Sequence, residues 1–149
     1  MDHLAILNKS WKLLDKILSG EKTIESRWYV TKRIPWNKIQ KGETIYLKNS
    51  GEPVTAKATV EKVTQLELDK EKVLKLLKIY GLAIGIVEGK IPEFYERFKD
   101  KKYCILINLK EPQKIEPFNI DKKGFGLMSA WITVKDIKEI THSHDNSAL

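Results

Sequence analysis

The chain carries the stretch Gly20-Glu21-Lys22-Thr23-Ile24-Glu25-Ser26-Arg27 at the point where an amphipathic helix passes into a strand. Before it, apolar side chains recur at helical spacing between residues 11 and 18, and Gly20 is a typical helix stop. After it, apolar and polar side chains alternate over residues 24–30 as in a strand. Because successive strand residues point to opposite faces, Glu25 and Arg27 are predicted to project side by side.

Further periodic segments surround this stretch. We predict further strands over 4–7, 44–47, 54–66, 103–109, 115–120 and 132–140, and further helices over 69–80 and 91–98. Gly81 is predicted to follow the end of the second helix. Strands interrupted by two or three helices, without regular strand–helix alternation, indicate an α+β fold built on a curled sheet or barrel. We expect one domain over 1–140 and a mobile tail over 141–149.

The composition is that of an ordinary globular domain. The chain has 149 residues, of which 42% are hydrophobic and 32% charged, and this balance favours folding without a disulfide or a metal. No apolar run is long enough to span a membrane and no signal peptide is evident, so a cytoplasmic location is expected. The single cysteine, Cys104, is interpreted as a core residue. We predict no cofactor and no metal, including at His142, His144 and Asp145.

Positive charge is concentrated in one part of the chain. The formal net charge is +7, and residues 22–48 contain seven lysines and arginines against two glutamates. A local basic surface favours a polyanionic partner, since lysines that neutralise phosphates release counterions. Lysine-rich composition also accompanies thermophilic origin or simple solubility, so the charge leaves these alternatives open.

The opening stretch resembles the Gly-x-Lys-x-x-Glu-x-Arg signature of the ASCH domain family. Residues 41–45, Lys-Gly-Glu-Thr-Ile, resemble the turn that precedes a strand in that family, and the similarity covers residues 3–140. The resemblance implies a PUA-like mixed β-barrel with two or three helices, whose cleft is proposed to hold RNA, and some members are hydrolases. In the subset that removes an acetyl group from acetylated cytidine, a threonine three residues after the lysine is taken as the nucleophile. This chain has Glu25 at that position, and Thr23 follows Lys22 directly.

The residues themselves support a polar ligand site. An arginine can hold a phosphate while a neighbouring carboxylate accepts from a base or an attacking water, although such a pair is also a common salt bridge. Aromatic residues near lysines and glycines can stack on bases, or can belong to the core. The candidate binding residues are Gly20, Lys22, Thr23, Glu25, Arg27, Lys32, Arg33, Trp36, Lys123 and Trp131. Lys22 and Glu25 are also the candidate catalytic pair.

Three functions are compatible with these residues. We expect an RNA-binding or nucleotide-binding domain. The alternative is a small hydrolase that acts on a modified nucleoside or on RNA. A third reading is an adaptor that recognises another protein, which an exposed apolar patch away from the cleft would favour.

Overall fold

The computed structural model describes residues 1–126 and 129–142. Within them the chain forms seven strands and three α-helices, with short 3-10 turns at Lys9–Trp11 and Ile137–Glu139. The elements in chain order are β1 (Asp2–Leu7), α1 (Leu13–Ser19), β2 (Ile24–Tyr29), β3 (Thr44–Asn49), β4 (Val54–Glu67), α2 (Lys70–Ile84), α3 (Ile91–Phe98), β5 (Tyr103–Ile120), β6 (Trp131–Val134) and β7 (Thr141–His142).

The strands form one mixed sheet that curls into a half-barrel. Its order is β2-β5-β4-β3-β1-β6, and β7 pairs with the far end of β5. Only the β1–β3 pair is parallel among these described strands. The register of β4 against β5 shifts at three places. Because each bulge bends a strand and increases its twist, these shifts account for the curl of the two longest strands.

Apolar side chains fill both faces of the curled sheet. Inside the half-barrel lie residues such as Ile17, Ile45, Leu47, Ile105 and Trp131. On the other face, α2 and α3 cover β2 and β5 through a second cluster that includes Val73, Leu77, Trp28 and Leu106. Helices α2 and α3 thereby stand beside the start of β2, where the charged stretch lies.

The β-strands differ from prediction mainly near the C-terminal end. The segments predicted as 103–109 and 115–120 are one continuous strand, β5, because β4 pairs with it through the polar residues between them. The region predicted as a strand over 132–140 is β6 followed by a 3-10 turn. Thr141 and His142, expected to begin a tail, instead pair with Ile120 and Asn119. Residues 143–149, including His144 and Asp145, lie outside the described residues.

Two helix boundaries also differ from prediction, whereas α3 spans 91–98 as predicted. The first helix is interrupted at Lys12, which adopts a left-handed conformation with φ 55°. Helix α2 continues through Gly81 and ends at Gly85, where φ is 102°. Gly81 lies inside the helix, where a Cβ would stand 3.7 Å from the side chain of Ile91 from α3. Of the helices described, none is long and apolar enough to cross a membrane.

Candidate functional site

Lys22 is buried at the junction of α1, α2 and β2. Only 2% of the residue is exposed. Its ammonium donates to the carbonyl oxygens of Ile24, at 2.6 Å, and Ile84, and it lies 3.2 Å from Glu25 Oε1. The Ile84 carbonyl belongs to the last turn of α2, where unpaired carbonyls and the helix dipole favour a cation. Lys22 therefore ties the charged stretch to the end of α2.

Glu25 joins Lys22 to Arg27. Its Oε1 accepts from the Ser26 backbone N–H at 3.1 Å, and its Oε2 lies 2.9 Å from Arg27 Nη2. Arg27 also donates to the carbonyls of Ala130, at 3.2 Å, and Ile6, at 3.4 Å. Its guanidinium lies 5.0 Å from the centre of the Trp131 ring. The predicted side-by-side arrangement of Glu25 and Arg27 is present in a network that spans from α2 to β1.

The charges of this network support one another. Burial alone would raise the pKa of Glu25, but the charges of Lys22 and Arg27 outweigh it and hold the pKa below its ordinary value. Burial lowers the pKa of Lys22, and the Glu25 carboxylate opposes that effect. Glu25 is therefore ionised in the folded protein near neutral pH.

A cavity of about 420 Å³ opens beside this network. We call it the aromatic cavity, because its walls carry Trp11, Trp28, Phe94 and Phe98. Trp28 stacks in parallel on Phe98 with ring centres 4.5 Å apart, and Trp11 meets Phe94 edge-on at 5.5 Å. These contacts hold the rings in place, so the walls are fixed before any ligand enters.

Polar groups lie at the floor and the mouth of the aromatic cavity. Lys22, Glu25 and Ser26 line the floor. The Ser26 hydroxyl accepts from Trp28 Nε1 at 2.9 Å, which leaves its own proton available to a ligand. Lys16, Lys90 and Glu93 line the mouth. A planar ligand with a polar edge and an anionic group matches this distribution of apolar and polar surface.

The predicted binding residues are distributed over several places. Lys22 and Glu25 line the aromatic cavity, whereas Gly20 and Thr23 lie in the turn above it without lining it. Arg27 and Trp131 contact each other on the inner side of the sheet, and Trp131 is 2% exposed. The Trp131 ring donates from Nε1 to His3 Nδ1 at 3.3 Å. It packs in the core, which is one of the two positions predicted for such aromatic residues.

The basic loop after β2 forms its own cluster. Lys32 lies over the rings of Trp36 and Tyr103, 5.7 Å and 5.6 Å from their centres, and Arg33 lies over Tyr29. Lys123 is exposed in the turn after β5, where its backbone N–H donates to Asp121. None of Lys32, Arg33, Trp36 and Lys123 lines the aromatic cavity as described.

The sequence did not reveal the walls of the aromatic cavity. Trp28 is buried, whereas Trp11 is half-buried at the cavity. Phe94 and Phe98 stand four residues apart on α3, which places them on one helix face. That spacing is ordinary for packing, so only the position of α3 against β2 identifies these rings as part of a site. Within the described part of the chain, no group of His, Cys, Asp and Glu side chains is placed to hold a metal ion.

The structure is similar to that of the ASCH protein from Zymomonas mobilis. The two share a TM-score of 0.66 at 20% identity, over 95% of this chain and 96% of that one. Structures of two point mutants of the same protein give TM-scores of 0.66 and 0.67, each over 93% of this chain. This chain has the ASCH-domain fold. The likeness confirms the predicted α+β architecture built on a curled sheet.

The similarity to ASCH structures concerns the fold rather than the site. No protein-family model matches the chain, and no curated protein matches its sequence. The aromatic cavity of this ASCH fold is therefore interpreted from its own residues.

Proposed function

We propose that the protein binds RNA or a nucleotide and takes one base into the aromatic cavity. The combination of fixed aromatic walls with an ionised carboxylate on the cavity floor is the main support for this proposal. Stacking of a base on an aromatic side chain contributes roughly 1–3 kcal/mol. The volume of about 420 Å³ lies within the range of small-molecule sites.

The floor of the cavity is lined by a hydrogen-bond donor and an acceptor. Glu25 accepts from Lys22, Arg27 and the Ser26 N–H, and its two oxygens provide about four lone-pair sites in all. The remaining lone pair is on Oε2. The Ser26 hydroxyl, which lines the same cavity, can donate to a ligand. The hydrogen-bonding edge of a nucleobase presents both donors and acceptors.

Lysines at the mouth match the phosphate of a nucleotide. Lys16 donates to the Gly85 carbonyl at 3.0 Å, which places its ammonium at the rim. Lys90 lies 3.6 Å from Glu93, and both side chains are more than half exposed. Exposed lysines can reorient toward a phosphate at small cost, since surface ion pairs of this kind contribute little.

The contacts of the charged pair favour binding over catalysis. Lys22 uses its ammonium on two carbonyls and a carboxylate, so it is not poised to take a proton from a ligand. Thr23 does not line the aromatic cavity. The hydrolase alternative gains no specific support from this geometry.

Replacement of one wall residue tests the proposal. Phe94→Leu keeps most of the side-chain volume but removes the aromatic face, so we expect single-stranded RNA to bind roughly tenfold more weakly. Binding is measured by fluorescence anisotropy of a short labelled RNA at low salt, and thermal denaturation checks that the variant is folded. Tyr80→Leu is the matched control, because Tyr80 is an exposed aromatic residue of α2 outside the cavity. Equal binding by both variants and the unmodified protein would contradict the proposal.

A further inference from the structure

Helix α2 carries apolar side chains on the side that it turns to solvent. Among the exposed large apolar residues described, Leu82, Ile79 and Val87 have the largest exposed fractions, at 72%, 59% and 58%. Val87 follows the end of α2 and lines the aromatic cavity, whereas Ile79 and Leu82 lie three residues apart on the helix. The core side of α2 is formed by other residues, such as Leu77 and Ile84. Because the solvent side of a surface helix ordinarily carries polar residues, the pair Ile79 and Leu82 needs an explanation.

Lysines occupy the same side of α2 one and two turns earlier. Lys75 and Lys78 are exposed and lie seven and four residues before Leu82, which places all three on one side of the helix. Among the described residues, no carboxylate forms an ion pair with Lys75 or Lys78. We call Lys75, Lys78, Ile79 and Leu82 the α2 face. It has cations toward the middle of the helix and apolar side chains toward its end.

A second copy of the chain does not complement the α2 face. In a two-fold dimer the same face of both copies meets, so the lysines of one copy would find no acid among the four residues of the other. Each copy also has a formal net charge of +7, which opposes association.

A membrane surface also matches the α2 face poorly. In helices that lie on membranes, apolar and cationic residues occupy opposite faces, whereas here they follow one another along a single face. Glu71 is exposed one turn before Lys75, where anionic lipids would repel it.

We propose that the α2 face binds an amphipathic helix of another protein, whose contact side carries acidic residues next to apolar ones. The spacing of residues 75, 78, 79 and 82 is that of the contact line between two packed helices. Apolar side chains of the partner would cover Ile79 and Leu82, and its carboxylates would pair with Lys75 and Lys78. The proposal is independent of base binding, because none of these four residues lines the aromatic cavity.

Selection of a phage-displayed library of random peptides against the unmodified protein tests the proposal. We expect the enriched peptides to combine Asp or Glu with Leu, Ile or Phe at helical spacing. A labelled synthetic copy of an enriched peptide is then titrated by fluorescence anisotropy. Leu82→Gln should bind this peptide roughly tenfold more weakly, since a large apolar contact is lost. Its melting temperature should not fall, because Leu82 is exposed and glutamine is a good helix former.

Matched variants separate the α2 face from general attraction to the protein surface. Val30→Gln removes an exposed apolar residue beside the lysines of the basic loop, outside α2, and should leave peptide binding unchanged. Lys75→Glu should weaken binding roughly tenfold, with a loss that shrinks as salt is raised. Lys110→Glu makes the same charge change at an exposed position of β5 and should have little effect. The proposal is overturned if no acidic and apolar peptide is enriched, or if Val30→Gln loses as much affinity as Leu82→Gln.

Two further measurements identify the other occupants. Sedimentation velocity shows whether the unmodified protein dimerises, and a dimer that Leu82→Gln abolishes would assign the α2 face to a second copy. Co-sedimentation with phosphatidylserine-containing vesicles, if Leu82→Gln abolishes it, would assign the face to a membrane. Either result overturns the proposal.

The base-binding proposal and the α2-face proposal fail separately. Leu82→Gln should leave RNA binding unchanged, because Leu82 does not line the aromatic cavity. Phe94→Leu should leave peptide binding unchanged, because Phe94 belongs to α3 and not to the α2 face.

Discussion

Glu25 is the residue that two buried cations share. Lys22 lies on one side of its carboxylate and Arg27 on the other, and the exposed fractions of the three side chains are 1%, 4% and 12% for Lys22, Glu25 and Arg27. Burying such charges is costly unless each is paired and hydrogen-bonded, and the surrounding carbonyls complete the set here. The Arg27 Nε atom is buried without a hydrogen-bond partner among the described residues. The triad thus depends on its single negative charge.

Glu25→Gln is predicted to destabilise the fold by about 3 kcal/mol, because it leaves two cations buried without a counter-charge. The free energy of unfolding, measured with urea near neutral pH, gives the effect. Glu96→Gln is the matched control, since it breaks an exposed ion pair with Lys99 and should cost less than about 1 kcal/mol. Similar values for the two variants would show that the triad is not a stabilising unit.

His3 is a second buried polar residue whose protonation state follows from its neighbours. Its Nδ1 faces Trp131 Nε1 at 3.3 Å, and the indole nitrogen can only donate. Thr133 Oγ1 offers the indole a second acceptor and lies 3.1 Å from Nδ1. Because the Glu43 carboxylate can only accept, Nε2 carries the proton that points to Glu43 Oε1 at 2.9 Å. Burial lowers the pKa of His3 from 6.5, although the hydrogen bond to Glu43 opposes the shift.

This arrangement predicts that stability falls as the solution is acidified through the pKa of unfolded histidine. With a lowered folded pKa, the unfolded chain binds more protons below about pH 6.5, so the free energy of unfolding decreases there, by at most about 1.4 kcal/mol per pH unit. Urea unfolding between pH 8 and pH 5.5 measures the slope. His3→Asn should remove that part of the slope, and an unchanged slope in this variant would contradict the assignment.

Among the secondary-structure elements, those with strong local signals were predictable from sequence. Asp69 caps α2 through a bond to the Lys72 N–H at 2.7 Å, and Pro92 lies at the start of α3, so both helix starts were correctly placed. The alternation over 24–30 likewise gave β2 and the side-by-side Glu25 and Arg27. These features depend on neighbours within a few residues.

Other features depend on contacts far along the chain and could not be predicted. Lys12 interrupts the first helix, although lysine is ordinarily a good helix former. The polar middle of β5 is a strand only because β4 pairs with it. The aromatic cavity joins Trp11 to Phe94, residues far apart in sequence. The fold class and the polar network could therefore be predicted from the sequence, whereas the aromatic cavity could not.

The end of α2 gives a matched pair of glycine tests. At Gly85, φ is 102° and an added Cβ would lie 3.2 Å from Lys22 Cδ and 3.3 Å from Leu13 Cδ2. Gly85→Ala is therefore expected to destabilise the protein by roughly 1–2 kcal/mol. Gly81 is helical, and its added Cβ would meet Ile91 at an ordinary 3.7 Å, so Gly81→Ala should be neutral or stabilise by up to about 1 kcal/mol. Thermal denaturation of the two variants distinguishes them; a reversed order would contradict the assigned end of α2.

For the whole molecule, the same network that borders the aromatic cavity also closes the half-barrel. β2 and β6 are the two ends of the strand order, and Arg27 crosses between them to the carbonyls of Ile6 and Ala130. Arg27, held by Glu25, thus links the two ends of the curled sheet. Their buried positions explain why the fold and the proposed site depend on the same few charges.

The basic loop after β2 is an alternative surface to which RNA could bind. Lys32 and Arg33 lie in the basic loop after β2, over aromatic rings and outside the aromatic cavity. RNA held only by this loop would be bound through its phosphates, with little contribution from stacking. RNA bound at the aromatic cavity and RNA bound at the basic loop would lie close to different backbone amides.

The most direct test is to titrate the isotope-labelled protein with a short single-stranded RNA and to measure the NMR shifts of the backbone amides. These shifts show which of the two surfaces binds the RNA. Base binding in the aromatic cavity predicts the largest shifts at Ser26, Gly85 and Ile86, which line it, with smaller shifts around Lys32 and Arg33. Shifts confined to residues 31–41, with those three amides unmoved at saturation, would contradict the central claim that the aromatic cavity is the binding site.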